Sequence, residues 1–122
     1  MRDYTVMREV LSLAYATARP LPFDDFYGAG QRDHVVDELK RLQREGLIDG
    51  GFEFDGQMCL SGSVDGLTPA GDEFFRDIEN DDVWKIVLDT LKKADVDLSY
   101  PLLKEVCEEI VRRYVASFIP NI

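Results

Sequence analysis

The sequence predicts a mostly α protein with a small β-hairpin: a winged helix-turn-helix followed by additional C-terminal helices. Three observations predict it. Residues 31–45 place Val35, Val36, Leu39 and Leu42 at helical spacing and run into Gly46-Leu47, a glycine stop with its usual apolar follower. Asp55-Gly56 then marks a two-residue hairpin turn, because glycine tolerates positive φ. Leu67-Thr68-Pro69-Ala70-Gly71 opens another helix, with Thr68 as N-cap and Pro69 at the first helical position. Helix, hairpin and capped helix in that order form the core of a winged helix.

The remaining elements follow from the same signals. Residues 3–18 carry Val6, Val10, Leu11, Leu13, Ala14 and Ala18 at helical spacing. Arg19-Pro20-Leu21-Pro22 ends that helix, since proline lacks an amide donor and disfavours helix before it. One short helical turn fits 23–27, with Asp24 and Asp25 near its start, and Gly28-Ala29-Gly30 breaks the backbone again. In the 31–45 helix, Arg32, Asp33, Asp37, Glu38, Lys40, Arg41 and Arg44 are expected on the solvated side. Residues 48–54 are a candidate strand weakened by Gly50-Gly51, 57–61 the return strand, and 62–66 a polar loop. The helix opened by Thr68 runs to about residue 79. Asp81 or Asp82 starts the next, with Val83, Trp84, Val87, Leu88 and Leu91 inward. Ser99 opens the last helix, whose apolar stripe runs from Leu102 to Phe118.

At 122 residues the chain suits a single domain over 1–122, with a core at about 3–79 and a helical extension at 81–119. Apolar residues make up 45% and aromatic residues 11%, which suits a folded chain. No apolar run approaches a membrane span, and Met1-Arg2-Asp3-Tyr4 lacks the apolar core of a secretory signal. Cys59 and Cys107 have no metal-ligand spacing and are expected as reduced, packed thiols. A cytoplasmic protein is expected. The net charge is -10, which sets the chain at a disadvantage on DNA, where Lys and Arg neutralise phosphate.

Catalysis finds little purchase. His34 is the single histidine, so a multi-histidine metal site is excluded and a nucleophilic triad is disfavoured. A partly exposed surface position is expected for it. Asp24/Asp25 and Asp81/Asp82 suit helix starts better than a paired acid–base site. Gly28-Ala29-Gly30 lacks the third glycine and preceding strand of a dinucleotide loop. Trp84 is expected as a core anchor. No catalytic residue, cofactor or metal is assigned.

Three stretches resemble an uncharacterised family of small winged-helix proteins of bacteria and their phages, the domain of unknown function 2513, similar to YjcQ-type proteins. They are residues 34–42 running into Glu45-Gly46-Leu47-Ile48, residues 66–75, and residues 78–85 followed by an amphipathic C-terminal helix. The resemblance covers most of 31–115 and implies a winged-helix fold and a phage or prophage context. It transfers no catalytic residue. The segments 50–54 and 62–66 match least.

Three surfaces are candidates for function. Gln31, Arg32, Lys40, Arg41 and Arg44 are available on a recognition helix, where Arg and Gln read base edges, although Asp33, Asp37, Glu38 and Glu45 balance the basic residues. Asp72, Glu73, Asp77, Glu79, Asp81 and Asp82 form an acidic run broken by Arg76 alone, suited to a basic protein partner. Val111, Val115 and Phe118 offer a two-fold dimer face. A protein partner is preferred to DNA, including one within a host nucleic-acid machine such as a defence system. The alternative is a DNA-binding transcriptional regulator.

Overall fold

The computed structural model describes residues 2–17, 20–55 and 58–120, with side chains at 54 and 58–61 left aside. It is mostly helical, with a three-stranded antiparallel sheet. In order come α1 (Tyr4–Ala16), β1 (Leu21–Pro22), a 3-10 helix (Phe23–Ala29), α2 (Arg32–Arg44), β2 (Ile48–Asp55), β3 (Met58–Leu67), α3 (Pro69–Ile78), α4 (Asp81–Ala94) and α5 (Tyr100–Ala116). Two compact units divide the chain, Met1–Phe75 and Arg76–Ile122.

In the first unit, Asp3 caps α1 by accepting a hydrogen bond from the Val6 amide at 3.1 Å. Val6, Met7, Val10, Leu11 and Ala14 form its buried stripe. The prolines that end α1 lead into β1, a strand the sequence did not announce, where Leu21 pairs with Val64. Sheet order is β1–β3–β2. The hairpin differs from expectation in length. β2 crosses Gly50 and Gly51 without interruption, and β3 runs on through 62–66 to Leu67, which pairs with Ile48. Register shifts between Asp49 and Gly50 and between Glu53 and Phe54 absorb the irregularity. Asp55, expected in the turn, is instead the last residue of β2 and pairs with Met58; Gly56 and Gln57 lie outside the described residues.

The joint between α2, the hairpin and α3 is tightly specified. Gly46 has φ 74°, and the Leu47 and Gly46 amides donate to Leu42 and Gln43 carbonyls at 2.9 and 3.1 Å. This is the Schellman ending read from Gly46-Leu47. Thr68 caps α3, accepting from the Gly71 amide at 3.0 Å, and its hydroxyl donates to the Gly46 carbonyl at 2.6 Å. Gly71 sits so close to Leu47 that a Cβ there would overlap the Leu47 carbonyl oxygen and press on its backbone. Phe74 is buried next along α3, and Phe75 is buried with its ring centroid 4.9 Å from that of Tyr15.

The second unit is built on α4 and α5. Asn80, rather than either aspartate after it, caps α4 through its side chain, which accepts from the Asp82 and Val83 amides at 2.9 and 3.1 Å. Val83, Trp84, Val87 and Leu91 are its buried residues. Its C-cap, Asp95, has φ 51°, a left-handed position that aspartate tolerates better than most residues. On α5 the buried residues are Leu103, Cys107 and Ile110.

Two stability outcomes follow. Gly71→Ala is expected to cost about 1–3 kcal/mol, the range for overpacking, because the obstruction is backbone and cannot rotate away. A denaturant melt checks it against Gly51→Ala, where an added Cβ meets nothing within 4 Å. Trp84 is only 6% exposed, so Trp84→Ala is expected to cost about 3–5 kcal/mol in the same assay.

Candidate partner-binding surfaces

The site-bearing helix of the first unit is α2, and its inner face holds a charge cluster. Val35, Val36, Leu39 and Leu42 are buried as expected, but so is Glu38. Glu38 was expected on the solvated side; instead it is 3% exposed, beside Arg2, which is 6% exposed. The Arg2 guanidinium donates from Nε to Glu38 Oε1 at 2.7 Å, and from Nη1 and Nη2 to the two oxygens of Glu45 at 2.9 and 2.7 Å. Arg41 Nε lies 3.5 Å from the same Glu45, so two cations face two carboxylates. Burial works against the Arg2 charge, but hydrogen bonds and charge from Glu45 and Glu38 outweigh it and raise its pKa. Burial pushes the Glu38 carboxyl above its ordinary range, with the Glu45 charge adding to this and Arg2 opposing it. The signal was present in the sequence. Residues 35, 38, 39, 42 and 45 share one helix face, so two glutamates stand on the apolar stripe and need a buried cation.

His34 is half-buried, with Nδ1 2.9 Å from Asp3 Oδ2, so Asp3 both caps α1 and ties it to α2. The expected recognition residues sort by exposure. Gln31 is the exposed N-cap position of α2, and Arg44 is exposed near its end. Arg32 is exposed, with its guanidinium carbon 4.5 Å from the Tyr27 ring centroid. Lys40 and Arg41 are half-buried. On the hairpin, Asp49, Glu53, Asp55 and Asp65 are all exposed, and residues 48–67 contain no Lys or Arg.

The acidic run divides between the units. Asp72 is half-buried and Glu73 exposed on the part of α3 in the first unit. Asp77 is half-buried, and Glu79, Asp81 and Asp82 are exposed, in the second unit. Asp81 and Asp82 occupy the first turn of α4, where negative charge suits the helix dipole. Asp82 also accepts a hydrogen bond from the Tyr114 hydroxyl at 3.2 Å.

Between α4 and α5 lies a groove of about 750 Å³. Ile86 and Thr90 line it from α4, and Val106, Ile110 and Tyr114 from α5. Val111 is half-buried and Val115 exposed; Phe118 is 70% exposed, its ring edge-on to Tyr114 at 5.1 Å. None of these three expected dimer residues lines the groove. Cys107 is buried and free, and burial, with the charges of Asp77 and Glu108, pushes its thiol up to about 12. Such a thiol stays protonated at neutral pH and is a poor nucleophile. Cys59's side chain lies outside the described residues. Among the described residues no group of three or more His, Cys, Asp or Glu is arranged to hold a metal, and no helix is long and apolar enough to cross a membrane.

The architecture defines a mostly helical protein with a small antiparallel sheet, and comparison with known proteins places it further. The chain is similar to an uncharacterised protein of Haemophilus influenzae (strain ATCC 51907 / DSM 11121 / KW20 / Rd), 31% identical over 120 residues that cover 94% of this chain and 98% of the relative. It belongs to the family of that protein. No family model matches the chain, and no solved structure does.

Removing the buried cation is expected to be severe. Arg2→Met leaves Glu38 with an uncompensated charge and costs about 3–5 kcal/mol at neutral pH. Glu38 holds its proton more tightly folded than unfolded. Its contribution to stability is therefore full below the ordinary carboxyl range and is lost as pH rises through its raised folded value. Without Arg2 that folded value rises further. The deficit of Arg2→Met, measured by urea melts across pH, is expected to shrink as the solution becomes mildly acidic.

Proposed function

We propose that this chain is a winged-helix protein of phage or prophage type that acts without catalysis, by binding a macromolecular partner in the cytoplasm. The order helix, short strand, 3-10 helix, helix, hairpin supports the fold, as does the pairing of β1 on the outer edge of β3. In that reading α2 is the recognition helix and β2–β3 the wing.

The acidic wing carries the preference for a protein partner. A wing that tracks DNA lies against phosphate and needs Lys or Arg there. Here Asp49, Glu53, Asp55 and Asp65 are exposed on it and no basic residue offsets them. Carboxylates on a projecting hairpin suit a basic protein surface, such as one that normally holds nucleic acid. Antagonism of a host nucleic-acid machine, including a defence system, is the use that fits. The exposed carboxylates Glu73, Glu79, Asp81 and Asp82 add to this acidic character.

One observation favours the regulator reading as an alternative. Glu38 and Glu45 turn onto Arg2, so Asp33 and Asp37 are the exposed carboxylates of α2, against exposed Arg32 and Arg44. With half-buried Lys40 counted and Arg41 drawn to Glu45, the outward side of this helix carries three bases against two acids, where residues 31–45 balance four against four.

Fluorescence anisotropy with random duplex at physiological salt separates the two. Negligible binding is expected, together with a partner captured from host lysate that survives nuclease and is lost on Asp49→Lys plus Glu53→Lys. Submicromolar duplex binding, abolished by Arg32→Glu plus Arg44→Glu, would transfer the function to DNA.

A further inference from the structure

We propose that the groove between α4 and α5 is the seat of a second copy of this chain, whose α5 lies antiparallel to the first. This concerns the second unit alone and does not rest on the identity of the wing's partner. The floor is apolar, and Ile86, which lines it, is 43% exposed. Val106 and Ile110 line the groove one turn apart on α5 as an apolar seam, and Leu102, 51% exposed, continues their spacing one turn beyond the lining.

The charged edge of that seam indicates what covers it. Glu105 and Glu109 lie on the N-terminal side and Arg112 and Arg113 on the C-terminal side, all four lining the groove. A helix with the same acid-then-base pattern, laid antiparallel, sets base on acid at both ends. Laid parallel, it sets like charge on like. α5 itself carries that pattern along the edge of the groove. The arrangement is self-complementary, as a two-fold interface requires. Glu109 already bridges Arg112 and Arg113 within its own helix, each at 3.1 Å. These pairs are solvent-exposed and weak, so exchanging them for pairs across the axis meets little resistance. The result is a four-helix packing of α4 and α5 with their copies.

This seam is not the 111, 115 and 118 edge expected from the sequence, and the two can be separated. Light scattering of the wild-type chain at micromolar concentration is expected to give twice the 13.9 kDa of one chain. Glu105→Arg plus Glu109→Arg, and separately Arg112→Glu plus Arg113→Glu, are each expected to lose the dimer. An equimolar mixture of the two variants is expected to regain it, because only the mixed pair matches charge at both ends. Circular dichroism confirms that each variant keeps its helices; where one does not, Ile86→Asp takes its place and is expected to yield a monomer. Val115→Asp is expected to leave the dimer intact. A monomeric wild type, charge variants that remain dimeric, a mixture that stays monomeric, or a dimer split by Val115→Asp alone would each overturn the proposal.

Discussion

The backbone at Leu47 is the constraint on which the first unit depends. Its amide closes the last turn of α2, and its carbonyl accepts from Thr68 at 3.1 Å, where the chain returns from the hairpin. Gly71, one turn into α3, lies directly against that carbonyl. One residue thus ends a helix, starts a strand and buttresses the next helix. The pairing of Ile48 with Leu67 begins beside it, and with it the register of the hairpin. A slip of one residue would turn Val64 and Ile48, both buried, toward water.

Charge shows why composition is a poor guide to surface. The chain has a net charge of -10, yet two carboxylates of its candidate recognition helix are used internally by Arg2. The acidic excess is displayed instead on the hairpin and along the α3–α4 sequence. A buried cluster of this kind adds little over a well-packed apolar one, but it penalises misplacement heavily. Any docking of α1 on α2 that separates Arg2 from Glu38 strands a charge in the core. The cluster therefore acts on register more than on total stability.

The legible parts of the sequence were those with local causes. The α2 stripe, the Gly46 ending and the Thr68 cap each rest on residues within one or two turns of one another. β1 was not legible, because a two-residue strand has no periodicity and exists only by pairing with Val64 and Ser63. Residues 62–66 read as loop for the same reason: glycine and polar residues hid a strand supported from both sides. Arg2 was overlooked because its partners lie 36 and 43 residues away. For the α4–α5 groove, the stripe on α5 was visible, but which flank stayed uncovered depended on where α4 lies.

The same sequence separation has a consequence during synthesis. The ribosome delivers residues at about 5–20 per second, so Arg2 emerges on the order of seconds before Glu45. Throughout that interval Val6, Met7, Val10 and Leu11 have no α2 to cover them, and the guanidinium that will be buried is still hydrated. A nascent α1 is then an apolar segment headed by a cation, open to ribosome-associated chaperones. Its exposure is set by distance along the chain and not by the strength of the finished contact.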